Sequence, residues 1–150
     1  MIRNLVKSDV DRLVEMGKSF WGDSFMSRSG KYPKDSVYRR LYSGFLSKEI
    51  FGWCSEKDEK IVCAAIFTIC ENFWTFEKQM SELAWFSDKE FLGSLDNIRI
   101  INEAERFAKE NKIKFFCMAR IKGMDSYSKL HKFYEKRDFF ELESTYLKVL

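Results

Sequence analysis

The sequence predicts a mixed α and β fold: a twisted, mostly antiparallel sheet of about six to seven strands flanked by about four helices. Three observations predict it. Hydrophobic periodicity changes along the chain, from helical spacing in residues 10–21 to a long β-branched run at Lys60–Cys70 (KIVCAAIFTIC), then back to helical spacing at 96–111. Hydrophobic residues make up 45% and charged residues 33%, with one Pro and seven Gly, which excludes a disordered or collagen-like chain. The length of 150 residues fits one domain, 1–150, and leaves no room for a second core.

Each element has its own signal. Ile2–Val6 reads as a short strand. Ser8 and Asp11 read as a helix start, followed by an apolar stripe at Val10, Leu13, Val14, Gly17, Phe20 and Trp21. Residues 22–33 read as a loop rich in Gly and Ser. Asp35 suits the cap of a second helix through Val37, Leu41 and Phe45 to about Ser47. Ile50–Ser55 and Lys60–Cys70 form a hairpin across the charged turn Glu56-Lys57-Asp58-Glu59. Residues 71–78 connect it to a strand at Met80–Phe86, and carry exposed-looking Phe73, Trp74 and Phe76.

Residues 96–111 give the clearest helix, with a stripe at Ile98, Ile101, Ala104, Phe107 and Ala108 and an end at Asn111. Lys114–Ala119 (KFFCMA) is a continuous apolar strand, as a buried position demands. Strand 80–86, helix 96–111 and strand 114–119 form one crossover unit, so the two strands should be parallel neighbours. Residues 120–126 read as a loop. Tyr127, Leu130, His131 and Tyr134 mark a last helix, and Phe139–Leu142 and Thr145–Leu150 the last strands. The order is β-α-α-β-β-β-α-β-α-β-β.

Composition narrows function. The chain has 26 basic and 23 acidic residues spread over both halves, so nothing concentrates positive charge as a nucleic-acid surface requires. Arg39, Arg40, Lys31 and Lys34 read as a solvated helix and loop. No apolar run approaches the roughly 18 residues of a membrane span, and the N-terminus lacks a signal-peptide core. Cys54, Cys63, Cys70 and Cys117 form no C-x-x-C pair; with one His a zinc site is not expected, and they read as reduced, buried thiols of a cytoplasmic protein. Aromatic residues reach 17%, which points to a core of large flat side chains and leaves room for an aromatic interface.

Three passages resemble the GNAT superfamily of acyl-CoA-dependent N-acetyltransferases over essentially the whole chain. "KIVCAAIFTI" (60–69) is similar to that family's third strand. "SELAWFSDKEFLGSLDNIRIINEAERFAKENKIKFFCM" (81–118) is similar to its fourth strand, cofactor loop, long helix and fifth strand. "LHKFYEKRDFFELESTYLKVL" (130–150) is similar to its closing helix and hairpin.

The resemblance implies a GNAT-like fold and acetyl transfer from acetyl-CoA to a primary amine. It implies cofactor contacts at Phe86, Ser87, Leu92, Gly93, Ser94, Leu95, Asp96 and Asn97, where backbone N–H groups at a helix start would hold a pyrophosphate. The family's loop is Arg/Gln-x-x-Gly-x-Gly/Ala. Here Leu92 stands at the basic position, and Leu95 and Asn97 at the small ones. Asp96 adds a carboxylate that suits a helix cap and would repel a diphosphate by roughly 3–4 kcal/mol at about 4–6 Å and an effective dielectric near 20. Only Gly93 and Ser94 keep the small, donor-rich character, and an ordinary helix start is the competing reading.

The resemblance also implies Tyr134 as the acid for the departing thiolate and Glu82 as the base for the amine. A packed aromatic and a solvated or ion-paired carboxylate are the alternatives. Asp138 stands at the family's Gly, a position expected to end the helix with positive φ. His131 reads as a surface or packed side chain.

An acceptor, small-molecule or protein amine, would meet residues 18–36 and 71–78, which contain Phe20, Trp21, Phe25, Tyr32, Phe73, Trp74 and Phe76. The competing function is a catalytically inactive module of the same fold, binding a protein partner through its aromatic surface, for example a phage virion or host-interaction protein. No metal is expected.

Overall fold

The computed structural model describes residues 1–121, 127–143, 145, 146 and 148. Its elements are β1 (Ile2–Asn4), α1 (Val10–Asp23), α2 (Lys34–Ser47), β2 (Ile50–Lys57), β3 (Lys60–Glu71), β4 (Lys78–Ser87), α3 (Leu95–Glu110), β5 (Phe115–Cys117) and α4 (Tyr127–Glu135). Short 3₁₀ turns occupy Lys7–Asp9, Phe25–Ser29 and Lys89–Phe91. The five strands form one sheet in sequence order, antiparallel except for the parallel pair β4–β5.

Sequence pattern explains the layers. On one face Leu13 and Met16 of α1 pack with Leu5, Cys54, Ile61, Ala64 and Ile66. On the other face Ile100, Ile101, Ala104 and Ala108 of α3 pack with Trp53, Val62, Ala65, Phe67 and Met80. β3 is therefore buried on both sides, which is why Ile61–Phe67 reads as an unbroken apolar run. Phe107 extends the α3 layer, its ring 4.9 Å from Phe51 and 5.5 Å from Trp53. Offset and edge-on contacts of this kind add about 0.5–1.5 kcal/mol each beyond area burial.

The structure corrects several expectations. Five strands are present among the described residues, not six to seven. Phe139–Leu142 is not a strand: Phe139 instead packs edge-on against Phe116 and tilted on Tyr134. Part of Thr145–Leu150, and residues 122–126 of the expected loop, lie outside the described residues. Leu5 N–H still reaches Gly52 O of β2, and β1 ends where the next donor leaves the sheet: Val6 N–H turns to the Asp9 carboxylate at 2.8 Å.

Helix starts shift as well. α1 follows Asp9 rather than a Ser8 cap, and burial of that carboxyl is outweighed by Arg3 and the Val6 N–H, which hold it below its ordinary range. Arg3 also bonds Glu56 at 2.5 Å, tying the α1 entry to β2. α2 follows Pro33, with Asp35 inside its first turn. The α3 stripe buries Asn97 and Ile100 rather than Ile98. Cys54 and Cys63 are buried, but Cys70 is exposed. Among the described residues no helix is long and apolar enough to cross a membrane.

Candidate active site

β4 and β5 pair over only three positions, Gln79–Phe115, Met80–Phe116 and Ser81–Cys117. Just past that point the β3–β4 register slips, with Phe67 opposite Glu82 and Ile66 opposite Ala84, so Leu83 is an extra residue on β4. A bulge bends and twists its strand and re-aims the neighbouring side chain. Pairing to β5 ends here, and from Glu82 onward β4 has strand partners only on its β3 side among the described residues. The two parallel strands part at Glu82.

Glu82 and Tyr134 meet at this opening. A Glu82 carboxylate oxygen accepts the Ala119 N–H at 3.0 Å, and the Tyr134 hydroxyl donates to the Ala119 carbonyl at 2.8 Å. Sequence reading named both residues; it gave no sign that one backbone residue would join them. Burial pushes the Glu82 carboxyl up to about 7, against the lowering effect of the Ala119 N–H. Burial, then the Glu82 charge, raises the Tyr134 phenol above its ordinary value, while Arg120 pulls the other way. Arg120 itself bonds Glu141 at 2.5 Å. At neutral pH this leaves a carboxyl close to its midpoint beside a phenol that keeps its proton, the two states a base and an acid require.

α4 carries Tyr134 and is locked by its end. Asp138 lies at φ 60°, as its place opposite a family Gly requires, and Phe139 N–H closes on Tyr134 O at 3.1 Å. Arg137 then clamps α4 to α3 through Glu105 and Asn102. His131 pairs with Glu135 at 3.2 Å on α4, one turn before Tyr134.

The other end of β4 is built differently. Asn97 is buried, and all four of its side-chain hydrogen-bonding positions are used. Its Oδ1 accepts from Trp85 Nε1 at 2.8 Å and Ser87 Oγ at 2.7 Å. Its Nδ2 donates to Phe91 O at 2.8 Å and Ser94 Oγ at 3.2 Å. Asn97 thus pins the loop 89–94 and the start of α3 to the end of β4. Its side chain points inward, so its size does not obstruct the loop surface as the sequence suggested. Ser94 precedes α3 as its cap position, not Asp96. Asp96 lies in the first turn and bonds Arg99 at 3.1 Å.

Among the described residues the N–H groups of Gly93, Leu95 and Asp96 find no internal acceptor, whereas those of Ser94 and Asn97 turn back to Phe91 O and Ser94 O. Gly93 has φ 70°, and a Cβ there would meet nothing within 4 Å. Leu92 and Leu95 are exposed beside it. Phe86 faces the α1 layer, edge-on to Phe20 at 5.6 Å, so of its groups only the backbone borders the opening. Free donors at a helix start, an open glycine and an Asp96 paired with Arg99 fit an anionic phosphate.

The aromatic positions expected to form one acceptor rim fall into two groups. Phe20, Trp21 and Tyr32 gather near the Phe86 end of β4: Trp21 is edge-on to Tyr32 at 5.8 Å, and the Tyr32 hydroxyl reaches Val14 O over Gly17, where a Cβ would stand 2.7 Å from that oxygen. Phe73, Trp74 and Phe76 sit on the β3–β4 turn, at the opposite end of the strand, and are 79%, 83% and 74% exposed.

Comparison with solved structures places the fold. A ribosomal-protein-alanine N-acetyltransferase from Brucella melitensis biovar Abortus 2308 is similar at 14% identity, TM-score 0.74, over 100% of this chain and 99% of that one. An aminoglycoside N-acetyltransferase in complex with CoA is similar at 12% identity and TM-score 0.76, over 100% and 93%. A transcriptional regulator from Bacillus halodurans C-125 is similar at 16% identity and TM-score 0.77, over 100% and 99%. The chain has the GNAT fold of acetyltransferases. No protein-family model matches the sequence, and no curated protein does.

Proposed function

We propose that this protein is an N-acetyltransferase that moves the acetyl group of acetyl-CoA to a primary amine. The observation that carries the reading is the convergence of Glu82 and Tyr134 on Ala119, at the place where β4 and β5 separate. When bound, acetyl-CoA supplies an activated thioester carbonyl. The free N–H groups of Gly93, Leu95 and Asp96 would hold its diphosphate, and the unpaired edge of β4 beyond Glu82 would run beside its arm. From Glu82 to Ser87 that edge spans about 16 Å at roughly 3.3 Å per residue.

Glu82 takes a proton from the incoming ammonium, leaving the amine lone pair free to attack. As the tetrahedral adduct collapses, Tyr134 gives its proton to the departing sulfur and regains one, through solvent, from the nitrogen that becomes the amide, while Glu82 releases its own proton to solvent. The raised phenol favours this direction, since a group that holds its proton at neutral pH acts as an acid there. The products are an N-acetyl amide and free CoA thiol.

A specific observation favours a second reading, a binding module of the same fold. The loop lacks the family's basic residue at Leu92, and Phe73, Trp74 and Phe76 present an exposed aromatic tip. Incubation with acetyl-CoA and a panel of amines (an aminoglycoside, a polyamine, and peptides with free N-termini) separates the two. The enzyme reading predicts acetylated product with matching thiol release, both lost in Glu82→Gln. Product formation at the uncatalysed rate for every amine favours the module.

A further inference from the structure

We propose that Glu82, besides its place in proton transfer, is the positioning residue for Tyr134, acting through the backbone of Ala119. The inference rests on the reading of Glu82 and Tyr134 as the proton-handling pair. It adds that the two are not independent.

The geometry points to this in three steps. First, strand pairing at β5 ends at Ser81–Cys117, so Ala119 lies beyond the last ladder hydrogen bond. Second, Ala119 is exposed and has only a methyl side chain, so packing does not fix it. Third, among the described residues its backbone makes two hydrogen bonds, one from its N–H to Glu82 and one to its carbonyl from Tyr134. The acceptor that aims the Tyr134 hydroxyl is therefore held in place by the Glu82 carboxylate. A carboxylate accepting an N–H makes a bond roughly twice as strong as a neutral pair, and protonation removes that advantage. Protonating Glu82 loosens Ala119 and lets the Tyr134 hydroxyl lose its alignment.

Among the described residues few other charged or titratable groups surround Glu82. From β3, Phe67 faces Glu82 across the ladder and does not titrate. From α4, among the described residues, the ionisable groups include Tyr134 itself and, one turn before it, His131, which pairs with Glu135. Beyond β5, Arg120 is bonded to Glu141, and its charge acts on Tyr134. Among the described residues Glu82 is the titratable group bonded to the Ala119 N–H, and loss of its charge weakens that contact between about pH 6 and 8, bracketing a carboxyl near 7.

Two measurements on the full chain test the coupling. In the first, the Ala119 amide and the Tyr134 ring carbons are followed by NMR from pH 5.5 to 8.5, without acetyl-CoA. The coupling predicts that both move with one shared midpoint, although the phenol itself does not ionise in that range. It predicts that both become flat in Glu82→Gln, which keeps an acceptor oxygen but cannot titrate. An Ala119 amide that titrates beside an unmoved Tyr134 ring would overturn it, as would a titration that survives Glu82→Gln.

In the second, Tyr134→Phe is placed in three backgrounds and kcat is measured. The coupling predicts a loss of at least about tenfold in the native chain and a smaller factor in Glu82→Gln, whose neutral amide oxygen holds Ala119 only as weakly as the protonated carboxyl does. It predicts less than about twofold in Glu82→Ala, where the hydroxyl is already misplaced. An equal factor in all three backgrounds contradicts it. If no amine is acetylated at all, the enzyme reading fails, and the NMR result alone decides the coupling.

Discussion

The two ends of β4 carry polar groups of the same kinds and use them in opposite ways. At the Ser87 end, the Trp85 N–H, the Ser87 and Ser94 hydroxyls and the Phe91 carbonyl are tied to the Asn97 side chain, while the outward N–H groups of Gly93, Leu95 and Asp96 stay without an internal acceptor among the described residues. At Glu82, a titratable carboxyl and a phenol share one backbone residue outside any ladder, an arrangement that is loose and responsive to pH. In the proposed reading, the strand joins an anchored cofactor loop at one end to the proton-handling pair at the other, the division of labour that positioning followed by proton transfer requires.

The comparison can be broken in order of expected effect. Glu82→Gln should lower kcat/KM by about 10²–10⁴-fold, the usual range for losing a general base, with acetyl-CoA affinity nearly unchanged. A loss in affinity instead of rate would move Glu82 from chemistry to binding. Asn97→Ala should cost about 2–4 kcal/mol in denaturant unfolding, since it leaves the Trp85 N–H and the Ser87 hydroxyl without their buried acceptor. It should also weaken acetyl-CoA binding; a variant as stable as the native chain would show that the anchor is not rigid.

A subtler effect concerns stability against pH. The Glu82 carboxyl is raised in the folded chain, so the folded state holds a proton that the unfolded chain releases from its ordinary value near 4.5. This contribution penalises folding as pH rises from about 4.5 through 7, by up to about 3 kcal/mol. Glu82→Gln should therefore raise the unfolding midpoint at pH 8 and leave it nearly unchanged at pH 4. An equal shift at both values would remove the titration from the account.

The smallest effect belongs to Asp96. Its pairing with Arg99 on a largely exposed helix turn already offsets its charge. Asp96→Asn should tighten acetyl-CoA binding by only about two- to fivefold, well short of the bare repulsion of two charges. Arg99→Ala should weaken binding, because it leaves Asp96 uncompensated. A change above about a hundredfold in Asp96→Asn would restore the unpaired carboxylate that the sequence alone suggests.

Much of the framework was legible because it rests on periodicity. The buried run of β3, the stripe of α3 and the parallel neighbours β4 and β5 follow from apolar spacing and connection length. The left-handed Asp138 follows from the resemblance to the family's closing helix, and Glu82 and Tyr134, expected from the same resemblance, meet at one backbone residue. What escaped was set by long-range pairing. The three-residue contact of β4 with β5 and the bulge at Leu83 have no local signature. Asn97 looked like a bulky intrusion because a sequence does not say that its amide turns inward to Trp85 and Ser87. The strand expected at Phe139–Leu142 was overread: Phe139 is apolar enough for a strand, but it is drawn to the rings of Phe116 and Tyr134. The aromatic rim split in two because residues adjacent in composition lie at opposite ends of one strand.

Calorimetric titration of the intact protein with acetyl-CoA tests the central claim most directly. A saturable one-to-one heat, diminished by Asn97→Ala and retained in Glu82→Gln, is the predicted result. No heat at millimolar acetyl-CoA would contradict it and leave the fold as a scaffold for another partner.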